Sequence, residues 1–259
     1  MAAATILATL ASGAAIGLIL GLVGGGGSIL AVPLLVYVVG IGSPHLAIGT
    51  AAVSVAASAL ASLVGHARAG TVKWPCAAVF AAAGVVGASL GAELGKAVDG
   101  ERLLALFGLL MVGVGLSMLR RRKTAATPDV RLSRSSAATL LPRLIPIGLG
   151  VGLAAGFFGI GGGFLIVPGL MLATAMPITN AVGTSLVVVT ALGLTTAASY
   201  ATSGMVNWPI TALMIASGAA GTIAGTAASR ALGTRKGLLE RGFALMVIAV
   251  GLYVVVTAL

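Results

Sequence analysis

The sequence predicts an all-α polytopic membrane protein built as two inverted repeats, with helices broken at glycine clusters. Three observations carry this expectation. Of the 259 residues, 59% are hydrophobic and 8% charged, with a mean hydropathy of +1.16, whereas a soluble domain carries about 25% charged residues. The chain holds 39 glycines, and small residues let transmembrane helices approach closely where lipid offers no hydrophobic drive for them to associate. A glycine-rich stretch also occurs twice, as GLVGGGGSILAVPLL at 21–35 and GFFGIGGGFLIVPGL at 156–170.

In chain order, apolar segments fall at 3–23, 28–39, 47–65, 75–97, 103–119, 144–158, 164–175, 181–200, 209–229 and 238–258. A spanning helix needs about 20 residues, and one of 10–14 reads better as a re-entrant or interfacial piece. Six or more of these segments can span, while 28–39 and 164–175 are short. The segment at 144–158 reaches full length only if Pro142 and Pro146 lie in an early first turn, which proline tolerates. The opening run, MAAATILATLASGAAIG, lacks the basic region of a secretory leader and continues into the glycine cluster, so it reads as a mature membrane segment. The single cysteine, Cys76, allows no disulfide framework within the chain.

The duplication extends beyond the glycines. Gly21, Gly24, Gly26, Gly27, Leu30, Val32, Pro33 and Leu35 align with Gly156, Gly159, Gly161, Gly162, Leu165, Val167, Pro168 and Leu170, 135 positions on. At an offset of 134, Gly49-Thr50 matches Gly183-Thr184, Gly70 matches Gly204, Trp74-Pro75 matches Trp208-Pro209, and Gly84, Gly87 and Gly91 match Gly218, Gly221 and Gly225. The repeats are therefore 1–119 and 143–259, joined by a basic linker at 120–142.

Orientation follows from charge. Lys, Arg, Asp and Glu fall in four breaks between apolar runs, most densely in the linker, RRRKTAATPDVRLSRSS, which the excess of basic residues places in the cytoplasm. The break at 66–73 carries Arg68 and Lys73 and belongs inside, while 93–102, with Glu93, Asp99 and Glu101, belongs outside. In the second half 230–241 is basic and belongs inside, leaving the uncharged 200–208 outside. Equivalent loops thus take opposite faces, which requires an odd number of passes per half. Turning back at each glycine cluster supplies the odd count; four plain crossings per half would instead make the repeats parallel. Inverted repeats with broken helices and a site where they meet are a recurrent transporter plan.

The expected site is made of backbone. Acids and bases are confined to the breaks, so no catalytic residue, metal cage or cofactor is expected, and the net charge of +10 suits membrane orientation rather than nucleic acid. Glycine costs about 1 kcal/mol against alanine in a helix, so four near-contiguous glycines interrupt one, and helix starts bind anions through free N–H groups and roughly half a positive charge. The candidate substrate-binding residues are Gly24, Gly26, Gly27, Ser28, Gly49 and Thr50 in the first half. Their counterparts are Gly159, Gly161, Gly162, Gly163, Gly183, Thr184 and Ser185. His45, in GIGSPHLAIGT, is a candidate proton or substrate contact because histidine titrates near neutral pH. Tight helix crossing is the competing account of the glycines, and it is the preferred one for Gly84/Gly87/Gly91. Ser54, Ser58 and Ser62 would be the nucleophiles of an intramembrane enzyme, but no base lies near them in sequence, and helix packing explains them better.

The paired glycine segments, the Gly-Thr motifs at 49–50 and 183–184, and the G-x-V-x-W-P elements at 70–75 and 204–209 resemble the TauE/SafE family of sulfite and organosulfonate exporters. The likeness runs through both halves. It implies a multi-pass plasma-membrane protein moving small sulfur-containing anions such as sulfite or sulfoacetate, with thiosulfate or a carboxylate as the alternative substrate. Ile160 interrupts the second cluster and Ser28 replaces a matching glycine in the first, so the two sites need not be equivalent. Oligomeric state has no signature in the sequence.

Overall fold

The computed structural model describes residues 3–23, 25–120, 134–159, 163–231 and 236–258, and all regular structure among them is helical. The helices are α1 (Ala3–Val23), α2 (Ala31–Pro33), α3 (Pro44–Arg68), α4 (Trp74–Ala97), α5 (Gly100–Arg120), α6 (Arg134–Phe158), α7 (Gly163–Thr174), α8 (Ile178–Thr202), α9 (Trp208–Ala231) and α10 (Lys236–Ala258). A tight 3-10 segment, Gly25–Leu30, precedes α2, and a wide π-helical turn, Leu34–Val38, follows it. Eight helices are long and apolar enough to cross a bilayer, and the two short pieces are those expected to be short. Helix α6 begins at Arg134, inside the segment read as linker, and runs through Pro142 and Pro146. Likewise α4 continues to Ala97, so Glu93 and Lys96 lie on its last turns, paired at 2.7 Å, rather than in a loop.

In both halves the chain doubles back after the first long helix. A Cβ on Gly27 would meet the Ile16 carbonyl and the Leu20 amide at 2.7 Å, so the 3-10 segment returns along α1. In the second half Gly169 of α7 lies against Val151 and Ile147 of α6. The return leg is built from Ile29, Ala31, Val32 and Leu35, all buried.

The halves interlock by exchange. Helix α1 packs on α9, and its counterpart α6 packs on α4. Both pairs run parallel. Gly13 meets Met214 and Ser217, Gly17 meets Gly218, and Gly21 meets Thr222 and Gly225; likewise Gly84 meets Gly148, Gly87 meets Leu149 and Leu153, and Gly91 meets Leu153 and Phe157. A Cβ at Gly17 would stand 2.8 Å from the Gly218 carbonyl carbon, so only glycine allows this approach. Counterparts pack on each other in the opposite sense. Gly49 of α3 lies by Tyr200 of α8 while Gly193 of α8 lies by Ala52 and Ala56; Gly108 of α5 lies by Gly251 and Val255 of α10 while Gly115 lies by Ala244 and Ile248. Helices α3 and α8 are the most buried spans, and Leu7, Leu172, Ile223 and Val256 are exposed on the periphery, as a lipid-facing surface requires.

Candidate functional site

Of the candidate residues, Gly24, Gly161 and Gly162 lie outside the described residues. Gly26, Gly27 and Ser28 form the 3-10 segment, with Ser28 fully buried. Gly163 is the first residue of α7 and is buried. The 3-10 segment packs against α7 and touches α3 and α8. The beginning of the first return leg therefore lies against the second leg, next to the central pair of helices. Gly159 ends α6 in the left-handed region at φ +64. It abuts the side chain of Ile48, one residue before Gly49, which sets the second turn-back against the first turns of α3.

The Gly-Thr motifs have a definite job, and it joins the two halves. The Thr50 hydroxyl donates to the Leu46 carbonyl at 2.7 Å and accepts from the Asn207 backbone N–H at 3.0 Å. The Thr184 hydroxyl accepts from the Lys73 backbone N–H, also at 3.0 Å. Each threonine thus holds the amide immediately before the Trp-Pro of the opposite half. The glycine beside it makes room: Gly49 lies against the Met205 carbonyl and Gly183 against Thr71. Each G-x-V-x-W-P loop closes on itself in the same manner, Thr71 N–H donating to His66 O and Met205 N–H to Tyr200 O, with Gly70 and Gly204 at φ +67 and +71. Asn180 adds a bond from its Nδ2 to the Thr71 carbonyl at 3.0 Å. Two motifs singled out separately in the sequence are therefore halves of one reciprocal latch.

Ser185 is buried and donates to the Val182 carbonyl at 2.8 Å. Ser54, Ser58 and Ser62 donate to the carbonyls of Thr50, Ser54 and Ser58, the back-bonding expected of helix serines. His45 is the second residue of α3, behind Pro44 and the Ser43 cap that accepts from Leu46 N–H. Its Nδ1 is buried without a partner among the described residues. The Thr196 hydroxyl, the Tyr200 hydroxyl and the Ser12 hydroxyl share that condition. An unmet buried polar atom costs about 1–3 kcal/mol, so each of the four groups has hydrogen-bonding capacity to spare. Tyr200 and Thr196 were missed in the sequence because they stand where the first half has His66 and Ser62, outside any matching motif.

The charged residues described within the spans sit in terminal turns, apart from Arg143 two turns into α6, which is exposed. Among the described residues no cluster of His, Cys, Asp or Glu could hold a metal ion.

Comparison with known proteins gives the family. The family model described as "Sulfite exporter TauE/SafE" matches residues 9–254. A "Probable membrane transporter protein" of Xylella fastidiosa (strain Temecula1 / ATCC 700964) is 48% identical over 251 residues, covering 97% of this chain and 95% of the relative. The "Probable membrane transporter protein YunE" of Bacillus subtilis (strain 168) is 29% identical over 216 residues, covering 74% of this chain and 78% of the relative. No solved structure matches. With a family model spanning nearly its whole length, and eight helices fit to cross a bilayer, this multi-pass chain belongs to the TauE/SafE family of membrane transporters.

Proposed function

We propose that the protein exports small sulfur-containing anions, sulfite or organosulfonates such as sulfoacetate, across the plasma membrane, and holds them by backbone N–H groups where the two return legs begin. The observation that carries this is the packing of the Gly25–Leu30 segment against α7, which begins at Gly163. Two helix starts then share one locus beside α3 and α8. Each contributes roughly half a positive charge, and no lysine or arginine is needed at depth. The halves, 1–119 and 143–259, act as inverted repeats: the antiparallel packing of α3 on α8 and of α5 on α10 supports an axis across the helices rather than along them. On that reading the linker 120–142 is cytoplasmic, the 69–73 turn faces the same side, and the 203–207 turn faces out.

Energetics favour export. With a negative interior, outward movement of one negative charge releases about 2.3 kcal/mol per 100 mV. The test is efflux of sulfite from proteoliposomes at imposed potentials, beside sulfoacetate, thiosulfate and acetate. Sulfite flux that rises with interior-negative potential is expected. Flux of all four anions no greater than from protein-free vesicles, with monodisperse protein, would overturn the proposal.

A further inference from the structure

Four buried polar atoms have no partner among the described residues, and two of them, the hydroxyls of Thr196 and Tyr200, stand on one helix. Both residues are 0% exposed, and four positions apart on α8 they share a face. Helix threonines ordinarily turn the hydroxyl back onto the carbonyl four residues earlier. Thr190 does so with Leu186 O at 2.7 Å and Thr195 with Ala191 O at 2.9 Å. The Thr196 hydroxyl makes no such bond. In the first half the corresponding residues are Ser62 and His66, and both are satisfied. Ser62 donates to Ser58 O at 3.0 Å, and His66 Nδ1 lies 3.0 Å from the Thr71 hydroxyl.

The depth of the pair follows from contacts. Gly159, where the second turn-back begins, abuts Ile48 of α3, and Tyr200 lies on Gly49, the next residue. Tyr200 is therefore level with Gly159. Gly156 of α6 meets Ala88 of α4, which stands between Gly84, lying by Leu192, and Glu93, bonded to Ser199. Thr196 is therefore level with Gly156, one turn or about 6 Å deeper than Tyr200. The free hydroxyls thus occupy the same depths as the two glycines at which the second glycine stretch departs from α6. Both α7 and the Gly25–Leu30 segment contact α8.

A hydroxyl with an uncommitted proton is a donor, and a charged acceptor makes the stronger bond to it. Two donors stacked along one face suit an oxyanion with several oxygens, which accepts from both and still offers an oxygen to backbone N–H groups. We propose that Thr196 and Tyr200 are the side-chain part of the anion site, fitting the three oxygens of a sulfite or sulfonate group and setting its preference over a two-oxygen carboxylate. The identity of the ligand rests on the export reading above; the hydroxyls of α8 add to it what the glycine motifs lack.

Thermal unfolding of the purified protein tests the pair. The parent is compared with Thr196→Val, Tyr200→Phe, Thr196→Ser and Thr195→Val, whose lost hydroxyl is one already bonded to its own helix, each alone and with sulfite, sulfoacetate, thiosulfate or acetate. Deleting an unmet buried hydroxyl removes a cost, so without anion Thr196→Val and Tyr200→Phe are expected to melt at or above the parent temperature; a role in packing would lower it. A ligand raises the melting temperature according to its affinity. Sulfite and sulfoacetate should stabilise the parent, Thr196→Ser and Thr195→Val, with about tenfold weaker apparent binding in Thr196→Val and Tyr200→Phe and an unchanged response to acetate. Equal sulfite responses in the parent and in monodisperse Thr196→Val and Tyr200→Phe, or no response of the parent to any of the four anions, would overturn the proposal. Sulfite efflux from proteoliposomes separates the two readings. Flux with the same half-saturation in the parent and both variants removes the hydroxyls and leaves export standing. Sulfite binding lost in the variants, with no flux through the parent, keeps the site and removes export.

Discussion

Replacing Thr50 or Thr184 by valine keeps the shape of the side chain and deletes one hydroxyl. In Thr50→Val the Asn207 N–H loses its acceptor at 3.0 Å, and in Thr184→Val the Lys73 N–H loses its own. A half-buried hydrogen bond of this kind is worth about 0.5–1.5 kcal/mol net, or about 2- to 13-fold in the unfolding constant. The two sites are far apart. Thr50 is level with the end of α8 near Tyr200, and Thr184 lies 16 residues earlier on that helix, about 24 Å away at 1.5 Å per residue. Separate sites add, so the double variant loses about 1–3 kcal/mol. The assay is equilibrium unfolding in mixed micelles followed by tryptophan emission. Trp208 and Trp74 directly follow the two latched amides, and Trp74→Phe or Trp208→Phe isolates one reporter. Thr50→Ser restores the bond and serves as the rescue. Stability of Thr50→Val within about 0.5 kcal/mol of the parent, the ordinary scatter of neutral substitutions, would refute the latch.

Gly17→Ala and Gly152→Ala place a methyl against the carbonyls of Gly218 and Gly84 and are expected to lower thermal stability in detergent and the yield of monodisperse protein. Gly113→Ala and Gly150→Ala, with nothing within 4 Å, should be neutral or stabilising by up to about 1 kcal/mol. In a Cys76→Ala background, Ala69→Cys and Thr202→Cys should react with an impermeant maleimide from opposite faces of the membrane, Thr202→Cys in intact cells and Ala69→Cys only after permeabilisation; labelling of both from one face would rule out inverted repeats.

Lipid makes part of such a fold easy to read. Every backbone group in a span must be satisfied within its own helix, so apolar runs become helices with little room for choice. The run at 181–200 grew only to Ile178–Thr202, and that at 75–97 to Trp74–Ala97. Helix α6 was harder, because Arg134, Pro142 and Arg143 break its apolar run although a helix end beyond the lipid tolerates all three. The partners of the Gly-Thr motifs were hidden for another reason. Thr184 meets Lys73 across 111 positions and Thr50 meets Asn207 across 157, separations on which neither periodicity nor capping rules bear. The signal was nonetheless present, since both motifs recur at the single offset of 134, as parts that exchange between halves must.

A duplicated chain keeps what both copies need and is free to vary the rest. Gly13, Gly17 and Gly21 are retained as Gly148, Gly152 and Gly156 because each faces the backbone of the opposite half at a distance that admits no side chain. No such constraint binds Ser54 and Ser58 of α3 or their α8 counterparts: Ser54 and Val188, or Ser58 and Leu192, differ by a polar group and by size, and helices accept either. Buried serines there give up apolar contact worth about 1.5–3 kcal/mol for a full Val or Leu side chain. Identity between the repeats therefore marks both the helix contacts and the starts of the return legs, and difference between them marks positions that neither contact constrains.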